Sequence, residues 1–135
     1  MDLKKLQKIE NLAECDGRYK SDAYYFVFNA LEYTVQKLGR DQDTLSEEKR
    51  HISGRDLLFG ISEYSADQFG PLTCSVFAHW GVEQTRDFGE IVFNLVGANL
   101  LRKTDEDRIE DFVDVYDFAE EFDWKKRKAD LKRLS

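Results

Sequence analysis

Histidine and cysteine side chains act as metal ligands, nucleophiles and general bases, and this chain has only two of each. They are His51, His79, Cys15 and Cys74. Cys74 and His79 stand five positions apart, a spacing that does not place both on one helical face, and no Cys-x-x-Cys pair is present. The pattern therefore favours reduced, structural thiols over a cysteine-based metal site.

For His51, the carboxylates that could join it in a metal site are Glu47, Glu48 and Asp56. This group resembles the ligands of a metal site, but carboxylates are commonplace in so charged a chain. A structural hydrogen bond that fixes the joint before the next helix is the favoured interpretation of His51. We expect no metal and no cofactor.

Asp87, Phe88 and Gly89 spell the DFG motif of protein kinases. The other kinase motifs are missing: the chain has no glycine-rich loop, no strand lysine and no HRD loop. It also lacks a Gly-x-Ser-x-Gly element. We expect DFG to lie in the first turn of a helix, where Gly89 lets another backbone approach closely, and we expect no enzymatic activity.

Carboxylates are concentrated near the C-terminus. Residues 104–123 contain ten Asp or Glu against one Arg, and residues 124–135 contain six Lys or Arg against one Asp. An EF-hand needs a D-x-D-x-D-G loop, which this stretch lacks. A solvated acidic face, neutralised by the basic tail that follows it, is the simpler interpretation.

The chain has 135 residues and a net charge of −7, with 41% hydrophobic residues. This length predicts a single domain, residues 1–135, with one core. No apolar run approaches the roughly 18 residues that span a membrane, and the N-terminus has no signal-like apolar region. We expect a cytoplasmic protein with no membrane association.

Two helices are predicted in residues 1–39. The first follows Asp2 as N-cap and ends near Gly17; the second begins at a capping Ser21 or Asp22 and ends at a left-handed Gly39. The second helix is rich in aromatic residues, most of which we assign to the core. Residues 40–52 form a polar loop.

Residues 53–118 predict a winged-helix-like unit in a mostly α fold of the α+β class. Its first helix spans residues 54–69 and is capped by Ser53, and a short helix follows Pro71. Its third helix spans residues 85–98, is capped by Thr85 and ends at a left-handed Asn99. Alternating residues then predict a β-hairpin wing with strands 100–103 and 108–118, and a third short strand near His51. Residues 119–135 form a charged C-terminal tail.

Several of these stretches resemble a short bacterial family of uncharacterised proteins. The matching elements are RHISG (residues 50–54), FGPL (69–72), WGV (80–82) and TRDFGEIVFNLV (85–96), with a leucine pair and KT after them. The similarity extends from about Tyr19 to Phe122, and Asn99 departs from it, because the family usually has Gly there. The resemblance implies a compact domain and brings no activity, ligand or catalytic residue with it.

The leading functional hypothesis is a non-enzymatic protein–protein interaction module. It would bind a partner protein, or a second copy of itself, through the acidic wing and the aromatic second helix. The motivating feature is a winged-helix pattern that carries negative charge where DNA-binding versions carry positive charge.

The alternative is a winged-helix DNA-binding regulator that contacts nucleic acid through Arg86, Asn94, Arg102 and Lys103. The acidic charge disfavours it. A third hypothesis is a small-ligand binder or enzyme with an aromatic pocket, lined by Tyr24, Tyr25, His51 and Trp80.

Overall fold

The computed structural model describes residues 2–42, 45, 46, 49 and 51–127. Six α-helices lie wholly within this part of the chain, together with two 3-10 helices, Gly70–Leu72 and Ile109–Phe112. The α-helices are α1 (Leu3–Asp16), α2 (Ser21–Lys37), α3 (Gly54–Phe69), α4 (Thr73–His79), α5 (Thr85–Gly97) and α6 (Phe118–Glu121). Residues 124–127 are also helical. None of the helices in these ranges is both long enough and apolar enough to cross a membrane.

The first two helices begin and end largely as predicted. The Asp2 carboxylate accepts a hydrogen bond from Lys5 N, and Gly17 leaves α1 in the left-handed conformation. Gly39, after α2, is also left-handed. The predicted N-cap of α2, Ser21 or Asp22, is wrong, because the N-cap is Lys20, whose side chain makes no capping hydrogen bond.

Helices α2 and α3 form the most extensive helix pair. They approach closely at Gly60, where an added Cβ would lie 1.8 Å from Thr34 Oγ1. Beside this contact the core is aromatic: the buried Phe77 ring lies 5.5 Å from Phe26 and 5.1 Å from Phe88 between ring centroids. Most aromatic residues of α2 therefore serve the core, as expected.

The predicted wing is wrong. Residues 98–117, which we call the strap, have no β-strand, and neither does any other part of the chain that the structure describes. The strap contains the second 3-10 helix and otherwise runs across α3 and α5 without regular structure. The third strand expected near His51 is absent too, since His51 and Ile52 have no regular structure; Arg50 lies outside the described residues.

The aspartates of the strap explain why no hairpin forms. Asp107 accepts a hydrogen bond from Thr104 N at 2.8 Å, and Asp111 accepts one from Arg108 N at 3.0 Å. These carboxylates satisfy backbone N–H groups that would otherwise need a neighbouring strand. Asp114 adopts a left-handed φ of 51°, which interrupts the extended conformation.

Phe112 anchors the strap to the helices. Its side chain is 3% exposed and fits between two helical glycines. A Cβ on Gly54 would lie 2.6 Å from the Phe112 ring, and a Cβ on Gly89 would lie 2.7 Å from its Cβ and Cγ. Gly89 of the DFG sequence is thus required for close approach. We had expected another backbone to approach it, but the group that does so is the Phe112 side chain.

Thr85 does not cap α5, in contrast to the prediction. The N-cap is Gln84, and the Asp87 carboxylate accepts hydrogen bonds from Glu83 N at 2.8 Å and Gln84 N at 3.1 Å. Thr85 is buried, and its Oγ1 donates to Phe112 O at 2.6 Å. The hydroxyl therefore holds the strap in place.

Candidate functional site

A cavity of about 200 Å³ lies between α2, α3, α5 and the strap. Most of its wall is apolar, including Val35, Ile52, Leu57, Val92, Leu101 and Phe112. An apolar cavity of ~150 Å³ accepts benzene, so this one has room for a ring with one or two further atoms. It is smaller than the ~300–1,000 Å³ typical of sites for drug-sized ligands.

His51 and Asp107 line both this cavity and the polar cleft beside it, and we call the four residues His51, Arg102, Lys103 and Asp107 the mouth of the cavity. His51 Nε2 is 2.6 Å from Asp107 Oδ2, a distance that makes an ion pair when the imidazole is protonated. The angular geometry of a hydrogen bond is not met, so the buried Nε2 atom has no hydrogen-bond partner. Asp107 is nevertheless the polar neighbour of this buried nitrogen, so the two side chains form one pair in the cavity lining.

Two cationic side chains complete the mouth. Arg102 and Lys103 line the cavity, and both are exposed. Lys103 Nζ lies 3.5 Å from the carbonyl oxygen of Thr104, at the limit of a hydrogen bond. The cavity is thus an apolar chamber, and among the described residues that line it only the four of the mouth have polar side chains.

Local sequence features position the two walls of the mouth. Ser53 Oγ accepts from Asp56 N and starts α3, so His51 is held just before a capped helix. Arg40 Nη1 donates to Lys49 O at 2.7 Å, which ties the preceding loop to the end of α2. On the other side, Asn99 takes a left-handed φ of 60°, as predicted, and turns the chain from α5 into the strap.

The four residues predicted to contact DNA are not brought together. Arg86 Nε contacts Glu90 Oε1 at 3.3 Å on α5, and Asn94 Nδ2 donates to the Tyr24 hydroxyl at 3.1 Å. Only Arg102 and Lys103 share a site, the mouth of the cavity. The polar face of α5 is therefore largely engaged by the chain itself.

The same face of α5 binds the joint between α1 and α2. The Tyr19 hydroxyl donates to Asp87 Oδ1 at 2.7 Å, and burial followed by this hydrogen bond raises the pKa of Tyr19. Arg18 forms an ion pair with Asp16 at 2.9 Å and approaches Glu90 at 3.6 Å. The hydrogen bond from Arg18 is the main reason why the pKa of Asp16 is lowered. Asp87 of the DFG sequence thus has a structural role.

The aromatic pocket predicted from Tyr24, Tyr25, His51 and Trp80 does not form as a unit. Tyr24 is buried against α5, and His51 lies at the cavity mouth. Tyr25 and Trp80 line a separate, open depression. Burial, reinforced by a hydrogen bond of 2.8 Å to Glu10, raises the pKa of Tyr25 to about 12.

The described residues give no evidence for a metal site or for a reactive thiol. The described residues contain no group of three or more His, Cys, Asp and Glu side chains that could hold a metal ion. Glu47 and Glu48, considered as partners of His51, lie outside those residues. Burial raises the pKa of the Cys74 thiol, which disfavours the reactive thiolate.

Asp107 is the functional candidate that the sequence did not single out. It stands in the acidic run, where no pattern distinguishes it from its neighbours, and 56 residues separate it from His51. Apolar residues such as Val92 and Leu101 were assigned to helix and strand faces, with no sign that a cavity lies between them. Only tertiary structure brings these groups together.

Comparison with known proteins adds no relative. No protein-family model, curated protein sequence or solved structure matches this chain. The resemblance of its motifs to a bacterial family therefore stays a prediction, and any functional proposal depends on the cavity and on the surface around it.

Proposed function

We propose that this chain is a non-enzymatic binding protein whose cavity holds a small, mostly apolar ligand. The observation that carries the proposal is the combination of an apolar chamber of about 200 Å³ with polar groups confined to its mouth. Ligand sites have this character, because apolar walls supply affinity and a few polar groups fix the orientation.

Binding is favoured over catalysis by the residues around the chamber. Those that line it in the described part of the chain include no Ser, Thr, Cys or Tyr that could act as a nucleophile. His51 and Asp107 resemble the base and orienting acid of a hydrolytic site, but no hydroxyl or thiol side chain of the described residues lines the cavity with them.

A titration with toluene, followed by calorimetry, tests the proposal. Val92→Phe fills the chamber from α5, whereas Val96→Phe changes the same helix at a residue that does not line it. The wild type and Val96→Phe are expected to bind toluene, and Val92→Phe is expected to lose at least tenfold in affinity. Leu101→Trp, which fills the chamber from the strap, serves as a second blocking variant if Val92→Phe fails to fold.

Protein–protein interaction is the second candidate function, at a surface different from the one predicted. Phe59 is 47% exposed and packs its ring 6.1 Å from that of Tyr116. Nearby, Val113 is 37% exposed at the edge of a polar cleft of about 590 Å³. Six carboxylates line that cleft: Asp56, Glu106, Asp107, Glu110, Asp111 and Asp114.

Charge complementarity indicates the kind of partner. Exposed apolar side chains beside an acidic cleft suit a cationic, amphipathic segment of another protein. This surface replaces the acidic wing and the aromatic second helix as the place where a partner would dock, since the strap forms no wing and the aromatic residues Tyr24 and Phe26 of α2 are buried.

A further inference from the structure

A second depression on the surface is lined largely by aromatic rings. It is open to solvent, has a volume of about 230 Å³ and lies where α2, α3 and the end of α4 meet. Its aromatic side chains are Tyr25, Phe26, Tyr64, Phe69 and Trp80. No described residue lines both this depression and the cavity, so the two are separate sites.

The rings form a floor and a rim. Phe26 and Trp80 are 5% and 9% exposed and their ring centroids lie 5.3 Å apart, so they make the floor of the depression. Tyr25, Tyr64 and Phe69 are half-buried, and part of each side chain is accessible to solvent. The planes of Phe69 and Trp80 meet at 80°, so the rings approach the depression from different directions. A group bound there contacts several π systems at once.

The charge of the depression is negative. Among the described residues that line it, Asp22 is the only charged one. Asp22 is exposed in the first turn of α2 and forms no ion pair within the part of the chain that the structure describes. Burial, the hydrogen bond to Glu10 and then the charges of Glu10 and Asp22 raise the pKa of Tyr25, so the Asp22 carboxylate acts on a ring of the rim.

Aromatic faces beside a carboxylate select a positively charged organic group, because the ring quadrupole attracts a cation over its face. A neutral apolar ligand gains nothing from Asp22, and a primary ammonium must give up hydrogen bonds to water before it lies against the rings. A quaternary ammonium has the charge together with an apolar surface of methyl groups. An apolar cavity of ~150 Å³ accepts benzene, so a depression of about 230 Å³ has room for such a head group.

We propose that this depression binds the quaternary ammonium group of a ligand, with its methyl groups against Tyr25, Tyr64 and Phe69 and its charge balanced by Asp22. Because the depression is open, the rest of the ligand extends into solvent. A free molecule such as choline and a trimethylated lysine side chain of another protein share this chemistry. The site is independent of the cavity and does not rest on the proposed function.

An NMR titration followed at the amide and indole signals of Trp80 tests the proposal, since Trp80 lines the depression and not the cavity. The probes are choline and its neutral analogue with carbon in place of nitrogen. We expect choline to bind about tenfold more tightly than the analogue, because only choline gains from the rings and the carboxylate as a cation. A peptide with one trimethylated lysine, compared with the unmodified peptide, tests the second source of the same group.

Two pairs of variants separate the contributions of ring and charge. Tyr25→Leu removes a ring of the rim and is expected to weaken choline binding severalfold, whereas Tyr25→Phe keeps the ring and should retain it. Asp22→Asn removes the carboxylate and is expected to abolish most of the preference for choline over its analogue. Glu32→Gln, an exposed residue of α2 that does not line the depression, removes one charge as well and should leave the preference unchanged.

Binding of choline, or of the trimethylated peptide alone, supports the proposal and identifies the source of the cation. Equal affinities for choline and its neutral analogue would overturn it, as would a preference that survives both Tyr25→Leu and Asp22→Asn. It is also wrong if neither choline nor the trimethylated peptide shifts the Trp80 signals of the folded wild type. None of these results bears on toluene binding in the cavity.

Discussion

Thr85 Oγ1 donates a hydrogen bond to Phe112 O at 2.6 Å and accepts one from Val115 N at 3.3 Å. One buried hydroxyl thus satisfies two backbone groups of the strap, 27 and 30 residues further along the chain. Since Phe112 lines the cavity, the same hydroxyl helps to define the cavity wall.

Thr85→Val tests this role, because valine keeps the shape and removes the hydroxyl. We expect a loss of about 1–3 kcal/mol in the free energy of unfolding, since the buried Phe112 O and the partly buried Val115 N lose their partner. Thr85→Ser retains the hydroxyl and should cost less. Urea unfolding followed by circular dichroism measures both, and equal stability of the valine variant and the wild type would refute the assignment.

Gly89→Ala and Gly97→Ala form a matched pair on α5. A Cβ at Gly89 meets Phe112 and Ile109, whereas nothing lies within 4 Å of one at Gly97. We expect Gly89→Ala to lower stability by about 1–3 kcal/mol through overpacking. Gly97→Ala should raise stability by up to about 1 kcal/mol, because alanine favours the helix. The same direction of change in both variants would contradict the packing of Phe112.

The phenol of Tyr116 should make the stability of the protein depend on pH. Its hydroxyl donates to Leu58 O at 2.7 Å, and burial raises its pKa well above the usual value of 10. The folded state therefore favours the protonated phenol, and this contribution is complete below pH 10 and is lost as the pH rises further. The loss approaches about 1.4 kcal/mol per pH unit for a single group.

Tyr116→Phe removes both the hydrogen bond and this titration. At neutral pH the variant should be about 1 kcal/mol less stable than the wild type. Above pH 10 the difference should shrink, because only the wild type must keep this phenol protonated. Urea midpoints of both proteins, measured from pH 7 to 11, provide the comparison. A constant difference in stability across that range would contradict the raised pKa of Tyr116.

The exposed Phe59 surface makes a separate prediction. A synthetic amphipathic peptide of lysine and leucine should bind the wild type, and added salt should weaken the complex, because the cleft is acidic. Phe59→Ser should weaken it severalfold. Leu72→Ser, which changes another exposed apolar residue outside the cleft, is the control. Equal effects of the two substitutions would indicate non-specific adsorption of the peptide.

Helix boundaries were predictable from the sequence where local chemistry fixes them. The Ser53 cap and the span of α3, as well as the exits at Gly17 and Asn99, need only near neighbours, and all agree with the structure. Capping and left-handed exits are local preferences, which explains this success.

The strap shows where such reasoning fails. Alternation around Phe112 resembles a strand, but whether a strand forms depends on a partner with free backbone groups. Asp107 and Asp111 bind the strap's own N–H groups, and Gly54 and Gly89 accept the Phe112 ring. The chain therefore wraps over the helices and encloses a cavity that no short-range pattern indicates.

Methyl NMR of the valine, leucine and isoleucine side chains during a toluene titration tests the ligand site most directly. We expect saturable shifts at Val35, Leu57, Val92 and Leu101, which line the cavity, and none at the exposed Leu3, Leu38 and Leu72. Shifts at the exposed leucines alone, or no saturable shift at the cavity methyls, would contradict a binding site between α2, α3, α5 and the strap.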